Sequence, residues 1–566
     1  MSAAAYAASP RTAAHARRRR MRLDGVAIIF LLVFAGQLAF GVWMSARGFR
    51  WGDAFYRSTG ALFAVHSADP KLANIGFVWM PLPALLNLPW VSLYPVWREV
   101  VASGAASSLS SAVCGGATAA ILLMTARRLG LAAWLGWAFA LLVSLNPMVF
   151  LYAGSGMAEG VGAPFLVGAV CFLTLFWHSG QRWWIAAAGV ALALAFASLY
   201  EAVPYGAAVF LALAAGVLWS SEARTSMPQG RLRAVEGLGL LLVIPSLFVG
   251  VLWIVANATI MGQPLFFVNG AYGYATYKSE AFTGGSPDVA GDLAGIATLL
   301  GERIWPFLIP LAALLALRAV DRRLARIETV SLLAVGLSVT LGLIAPMAYL
   351  GSRMDFLRYE MYPLYAAAGW GLYEIAISRR RRRASVFVLG GWILAVPACL
   401  WVMANPRLGT QEYPELKALA DGRNALELGY GDPVVTRARL ADYLADRVVS
   451  PERHVLLDAY QGAAVAAQLP AAKSRFLVMT FDRRFRAALA DPVHHNVSYI
   501  LVPDPATWPQ DIVNRTRPRL WAGKEPGFAL VKTFEAGSAT RLPEDWRLFA
   551  VQPDARVLAT TSGGNG

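Results

Sequence analysis

Apolar runs long enough to cross a bilayer recur from Asp24 to Ala404, and they constrain this chain more than any motif does. A hydrocarbon core needs about 20 apolar residues per helix. On that criterion we read eleven spans: 24–45, 104–126, 131–151, 160–178, 183–200, 202–220, 236–257, 303–319, 328–350, 362–378 and 384–404. Of the 566 residues, 57% are hydrophobic and only 15% charged. A soluble globular domain carries about 25% charged residues, so a cytosolic enzyme is excluded. The three cysteines, Cys114, Cys171 and Cys399, all fall in apolar stretches with no metal-ligand or CxxC spacing, and read as buried thiols.

The net charge of +15 would point to nucleic acid in a soluble chain. Here its placement gives another reading. The N-terminal tail and alternate gaps, with Arg17 to Arg20, Arg127, Arg128, Arg182, Arg322, Arg323 and Arg379 to Arg383, hold 21 Lys/Arg against 6 Asp/Glu. The opposite gaps hold 9 against 11, and the tail from about 405 holds 20 against 18. That alternation is the positive-inside rule. It predicts a cytoplasmic N-terminus, an extracytoplasmic C-terminus and no nucleic-acid partner.

The expected organisation is a disordered basic tail at 1–23, a transmembrane catalytic domain at 24–404, an extracytoplasmic α/β domain at 405–553 and a flexible end at 554–566. In the first long gap, 46–103, prolines 81, 83, 89 and 95 break an apolar stretch. Short interfacial helices are expected there, with Trp79, Trp90 and Trp97 at headgroup level. In the tail, 454–458, 476–479 and 499–502 read as buried strands, with a helical pattern at 482–489. Segments 528–534 and 546–551 read as further strands. No Gly-rich phosphate loop follows any of them.

Ionisable groups near membrane depth are functional candidates. Asp53, Glu159 and Glu201 all fall at extracytoplasmic ends of spans. A carboxylate there acts as a general base on a hydroxyl, or helps hold a divalent metal. Each has a plainer alternative: Asp53 as a solvated loop residue, Glu159 and Glu201 as first-turn carboxylates of the helices that follow. The basic partners are Arg353 and Arg358, with Lys278 and Arg57 behind them. A guanidinium fork suits a phosphate, although arginines there also anchor to lipid headgroups. The aromatic run from Phe266 to Phe282, with Tyr272, is suited to sugar stacking or to interfacial packing.

Several of these pieces occur in a known order. Gly52-Asp53-Ala54-Phe55-Tyr56 comes soon after the first span, followed by Trp79-Met80-Pro81-Leu82-Pro83. Arg127-Arg128-Leu129-Gly130, Asn146-Pro147, Glu159, Gly262-Gln263-Pro264-Leu265-Phe266 and Arg358-Tyr359 then succeed one another. Over 24–404 this resembles the GT-C superfamily of integral-membrane glycosyltransferases, in the branch of protein-mannosyltransferases and aminoarabinose transferases. The resemblance implies a polytopic α-helical membrane protein of about eleven spans in the bacterial plasma membrane. It also implies a polyprenyl-phosphate sugar donor and a glycan, lipid or protein acceptor. Asp53 is then the base and Glu159 the second acidic position. Arg358, with Arg353, falls in the region that grips the donor phosphate. From the residues themselves, Arg57, Trp79, Glu201, Tyr272, Lys278 and Tyr359 are the further candidates for binding substrate. Many members carry an acidic pair where this chain has Asp53-Ala54, so use of a divalent metal (Mg or Mn, on Asp53 and Glu159) stays open. Two other readings remain, a transporter or flippase of a lipid-linked glycan and a membrane-anchored glycan-binding scaffold.

Overall fold

The computed structural model describes residues 24–219, 230–270, 289–351, 356–425, 427–428, 433–535 and 545–553. Eight of its helices are long and apolar enough to cross a membrane. They are Gly25–Ala46, Ala105–Arg128, Ala158–Ser179, Ala202–Trp219, Arg231–Met261, Leu293–Val320, Ile327–Tyr349 and Arg381–Met403. The chain is therefore a multi-pass membrane protein, with a small sheet at its C-terminal end.

The other three expected spans appear in altered form. The run at 131–151 is two helices, Ala133–Ser144 and Pro147–Gly154, bent by 68°. Pro147 has no N–H to continue the ladder, and the Asn146 side chain caps the new helix by accepting from Met148 N at 3.2 Å. Trp183–Phe196 has 14 residues and Tyr362–Ile377 has 16, both short of a full crossing. The first is shorter than expected because Ala197 to Glu201 form a turn into the next helix.

The first long gap also departs from a row of interfacial helices. Helix Gly52–Val65 is buried along most of its length. Its Phe55, Leu62 and Phe63 share one hydrophobic cluster with Tyr94 and Val100 and with Val455, Leu477 and Leu501 of the C-terminal region. Trp90 packs against the same cluster, while Trp97 is exposed. Arg47 Nη1 donates to Gly422 O at 2.8 Å and Arg98 Nη1 to Gln468 O at 3.1 Å. The chain after the last span is thus clamped onto the loop after the first.

The sheet comprises β1 (His454–Leu457), β2 (Leu477–Met479), β3 (Val497–Pro503), β4 (Phe528–Phe534) and β5 (Trp546–Val551), in the order β2-β1-β3-β5-β4. Strands β2, β1 and β3 are parallel, and β3, β5 and β4 antiparallel. Alternate side chains face opposite sides. Val455, Leu457 and Leu501 join the cluster of the first loop, whereas Leu456, Ile500 and Val502 pack on Phe485, Leu489 and Val513.

At the carboxyl end of β1, Asp458 accepts from Thr480 Oγ1 at 2.7 Å and from Ile512 N at 2.9 Å. Its neighbour Asp511 accepts from Asn514 N at 2.8 Å, but its Oδ2 is buried without a hydrogen bond among the described residues. Burial, and then the Asp458 charge, push the Asp511 carboxyl up from the usual range. The folded state then holds a proton that the unfolded chain has released, so this group's contribution falls as pH rises from the ordinary aspartate range through the raised value. Asp511→Asn should flatten that pH dependence and stabilise the sheet at neutral pH. The readout is hydrogen exchange at 454–458 and 511–514 against pH, and an unchanged pH slope would contradict the assignment.

Candidate active site

The site forms where four segments, distant in sequence, meet at one end of the helix bundle. The opposite end carries the Arg127–Asp24 ion pair at 2.6 Å. Trp51 is extended (φ −83°, ψ 125°) and starts helix Gly52–Val65 with Asp53 in its first turn, where the helix dipole favours a carboxylate. Arg57 lies four residues on, hence on the same face. Its guanidinium stacks over the Trp79 ring at 5.2 Å. Arg57 is buried, and its Nε and Nη1 have no hydrogen-bond partner among the described residues.

Glu159 is in the first turn of helix Ala158–Ser179 and is 4% exposed. The chain reaches it through Gly156 at φ +82°, where a Cβ would come within 2.6 Å of Ser107 Cβ. Only glycine meets both conditions there.

Arg358 is in the 3₁₀ turn Leu357–Glu360, just before helix Tyr362–Ile377. Two residues on, Glu360 accepts from Thr340 Oγ1 at 3.0 Å, in the π-turn Thr340–Ile344 that interrupts the span Ile327–Tyr349. Such π-turns recur at functional sites. Burial pushes the Glu360 carboxyl up to about 7.

The Arg358 guanidinium joins these segments. Its Nη2 is 3.1 Å from Asp53 Oδ2, and its Nε is 3.1 Å from Glu159 Oε1. Nη1 donates to Gln411 Oε1 at 2.7 Å. One ring, Phe356, lies 4.3 Å from the guanidinium carbon, and Tyr359 lies 5.1 Å away. The Arg358 side chain is 6% exposed and that of Glu159 5%, whereas Asp53 is 34% exposed. Buried charges of this kind need such paired geometry to persist. Asp53 is therefore the member of the trio that an incoming molecule reaches. The tetrad Asp53, Glu159, Tyr359 and Arg358 is brought together from candidates that lie up to 306 residues apart in the sequence.

Three residues beyond the last span complete the surroundings, and none was a candidate from sequence. Besides Gln411, Glu412 pairs with the Tyr152 hydroxyl, and Glu415 accepts from Trp51 Nε1 at 2.7 Å. Burial raises both carboxyls, and pushes Glu415 up to about 8. The acidic pair in Glu412-Tyr413-Pro414-Glu415, placed by topology at the same end as Asp53, was the available signal.

Glu201 sits in the short turn before helix Ala202–Trp219 and is half-buried. Burial, and then the negative charge of Glu159, push its carboxyl up to about 7. Tyr272, Lys278 and Arg353 lie outside the described residues. The cysteines are free and buried.

Over the described residues this architecture is a GT-C-like fold. It is similar to ArnT from Cupriavidus metallidurans, in a crystal structure bound to undecaprenyl phosphate, with a TM-score of 0.52 and 14% sequence identity. That likeness covers 95% of this chain and 100% of ArnT. A more distant likeness is to the oligosaccharyltransferase AglB from Archaeoglobus fulgidus in complex with an inhibitory peptide and a dolichol-phosphate. There the TM-score is 0.41 and the identity 11%, over 90% of this chain and 73% of that one. No family model and no curated protein matches the sequence.

Proposed function

We propose that this protein is an inverting glycosyltransferase that moves a sugar from a polyprenyl-phosphate donor to an acceptor hydroxyl at the extracytoplasmic face of a bacterial plasma membrane. The observation that carries the reading is the partly exposed Asp53 carboxylate beside a buried guanidinium, at one end of a membrane-embedded bundle. The GT-C-like fold, and the undecaprenyl phosphate bound to ArnT, support the choice of donor class.

In this reading the acceptor O–H donates its proton to Asp53 as the oxygen attacks the anomeric carbon. The bond from that carbon to the phosphate oxygen breaks, and its electron pair leaves on the lipid phosphate. A single displacement inverts the anomeric centre. Arg57 and Arg358 supply positive charge where the leaving phosphate develops its negative charge, in a site shielded from water. Arg57 suits direct contact, because its buried Nε and Nη1 donors are not hydrogen-bonded by the described residues. Trp79 holds that guanidinium in place. The acceptor is a glycan, lipid or protein hydroxyl, and the region after residue 404 packs close enough to contribute to its recognition.

The test is a reconstituted assay with the purified chain and a polyprenyl-phosphate sugar, following acceptor-dependent release of free lipid phosphate. Movement of the lipid across the bilayer without a covalent product would favour a flippase instead. Arg57→Gln should raise the donor KM by roughly 10- to 100-fold, as expected for loss of hydrogen bonds to a charged group. An unchanged donor KM would remove Arg57 from the donor site.

A further inference from the structure

The carboxylates Asp53 and Glu159 are the pair that would hold a divalent ion if this site used one. The geometry points to a built-in cation instead: the Arg358 guanidinium takes the place of a divalent metal between Asp53 and Glu159, so the site works without one. The inference rests on the glycosyl-transfer reading for its function.

A bridging Mg, Mn or Ca ion draws oxygens to about 2.0–2.6 Å from one point. Here the space between the two carboxylates is filled by Arg358, whose Nη2 and Nε stand 3.1 Å from Asp53 Oδ2 and 3.1 Å from Glu159 Oε1. The guanidinium is 2.7 Å from Gln411 Oε1 and stacked on Phe356, and its backbone turn is tied through Glu360 to Thr340. It is therefore held on several sides against swinging out. A divalent ion entering beside it would meet a like charge at close range.

While the guanidinium occupies one oxygen of each carboxylate, the remaining ligands do not compensate. Glu159 Oε2 is buried without a hydrogen-bond partner among the described residues, but it offers a single oxygen. Among the described residues no group of three or more His, Cys, Asp or Glu is arranged to hold a metal ion. The guanidinium meanwhile supplies what a metal would, fixed positive charge and oriented donors facing the carboxylate that receives the proton.

The test is a Mn²⁺ titration of the full-length chain in detergent, read by the electron paramagnetic resonance of free Mn²⁺. The wild type should leave the free signal undiminished. Arg358→Met should bind Mn²⁺ at least roughly a hundredfold more tightly, because one positive charge a few ångströms away is gone. That gain should vanish in Arg358→Met/Glu159→Gln, and Arg358→Lys should keep the ion out. One Mn²⁺ per wild-type chain, lost in Asp53→Asn or Glu159→Gln, would overturn the inference. So would a folded Arg358→Met that gains no affinity. If Arg358→Met does not fold, the wild-type titration decides alone. Chelator-treated enzyme should retain full transfer, and dependence on restored Mn²⁺ would also overturn the inference. Absence of transfer under every metal condition would instead strike the glycosyl-transfer reading and leave the titration result standing.

Discussion

Asp53→Asn should lower the turnover of sugar transfer by about 100- to 10,000-fold, the usual contribution of a positioned general base. The amide keeps an oxygen that can still accept from Arg358 Nη2, so the local geometry survives while the proton acceptor is lost. Glu159 at 3.1 Å and Gln411 at 2.7 Å continue to hold the guanidinium. The buried Arg358 keeps Glu159 as its counter-ion, so the replacement leaves no buried charge unpaired. The decisive comparison is turnover against the thermal midpoint and the donor KM. A variant that folds normally and turns over like the parent would place the base elsewhere, and Glu201, near Glu159 and half-buried, would be the next carboxylate to examine.

A second large effect is expected far from the chemistry. Glu374 is fully buried in helix Tyr362–Ile377, with Arg318 Nη1 on one oxygen and Arg323 Nη2 2.9 Å from the other. Trp370 Nε1 also donates to it at 3.2 Å, and Thr329 Oγ1 accepts from Arg318 Nε at 2.8 Å. The group ties together the ends of three helices. Among the described residues, Glu374→Ala would leave Arg318 with only Glu328 as counter-ion, at 3.5 Å, and Arg323 with only Asp321, at 3.1 Å, beside a new cavity, and removing one member of such a network costs about 3–5 kcal/mol. The thermal midpoint of the protein in detergent should fall sharply. Replacing Glu374 and Arg318 together by Leu and Met should recover part of that loss, because Arg318 goes with its partner while Arg323 keeps Asp321 at 3.1 Å. A small change in Glu374→Ala would mean that Glu328 and Asp321 are enough to pair the two arginines.

The elements that could be read from sequence are those set by local physics. Long apolar runs mark most of the spans, because the bilayer demands internally satisfied backbone over a fixed thickness. The strands after 450 follow from short runs of buried apolar residues, and β1 to β5 lie where those runs lie. The exceptions have equally local causes that hydropathy averaging conceals, such as the break at Asn146-Pro147 and the turn that shortens the helix ending at Phe196.

The site divides differently. Asp53, Glu159 and Arg358 are visible individually as charges at span ends, and the alternation of basic gaps assigns them to one side. Which of them touch is beyond that argument. Gln411, Glu412 and Glu415 belong to a stretch that looks like ordinary soluble sequence, yet two of them are fully or nearly fully buried carboxyls beside Tyr152 and Trp51. Arg57 is a candidate from its charge alone, and its stacking on Trp79 and its donors left without a partner among the described residues are visible only in the fold.

Sequence alone therefore determined that this chain crosses a membrane many times, which gaps are basic, and which acidic residues share a face, because hydropathy and charge act residue by residue. Tertiary structure alone decided that a guanidinium, rather than open space, stands between the two carboxylates. That contact joins positions 53, 159, 358 and 411, and it exists only because packing of the helices and the C-terminal region closes four distant segments on one point.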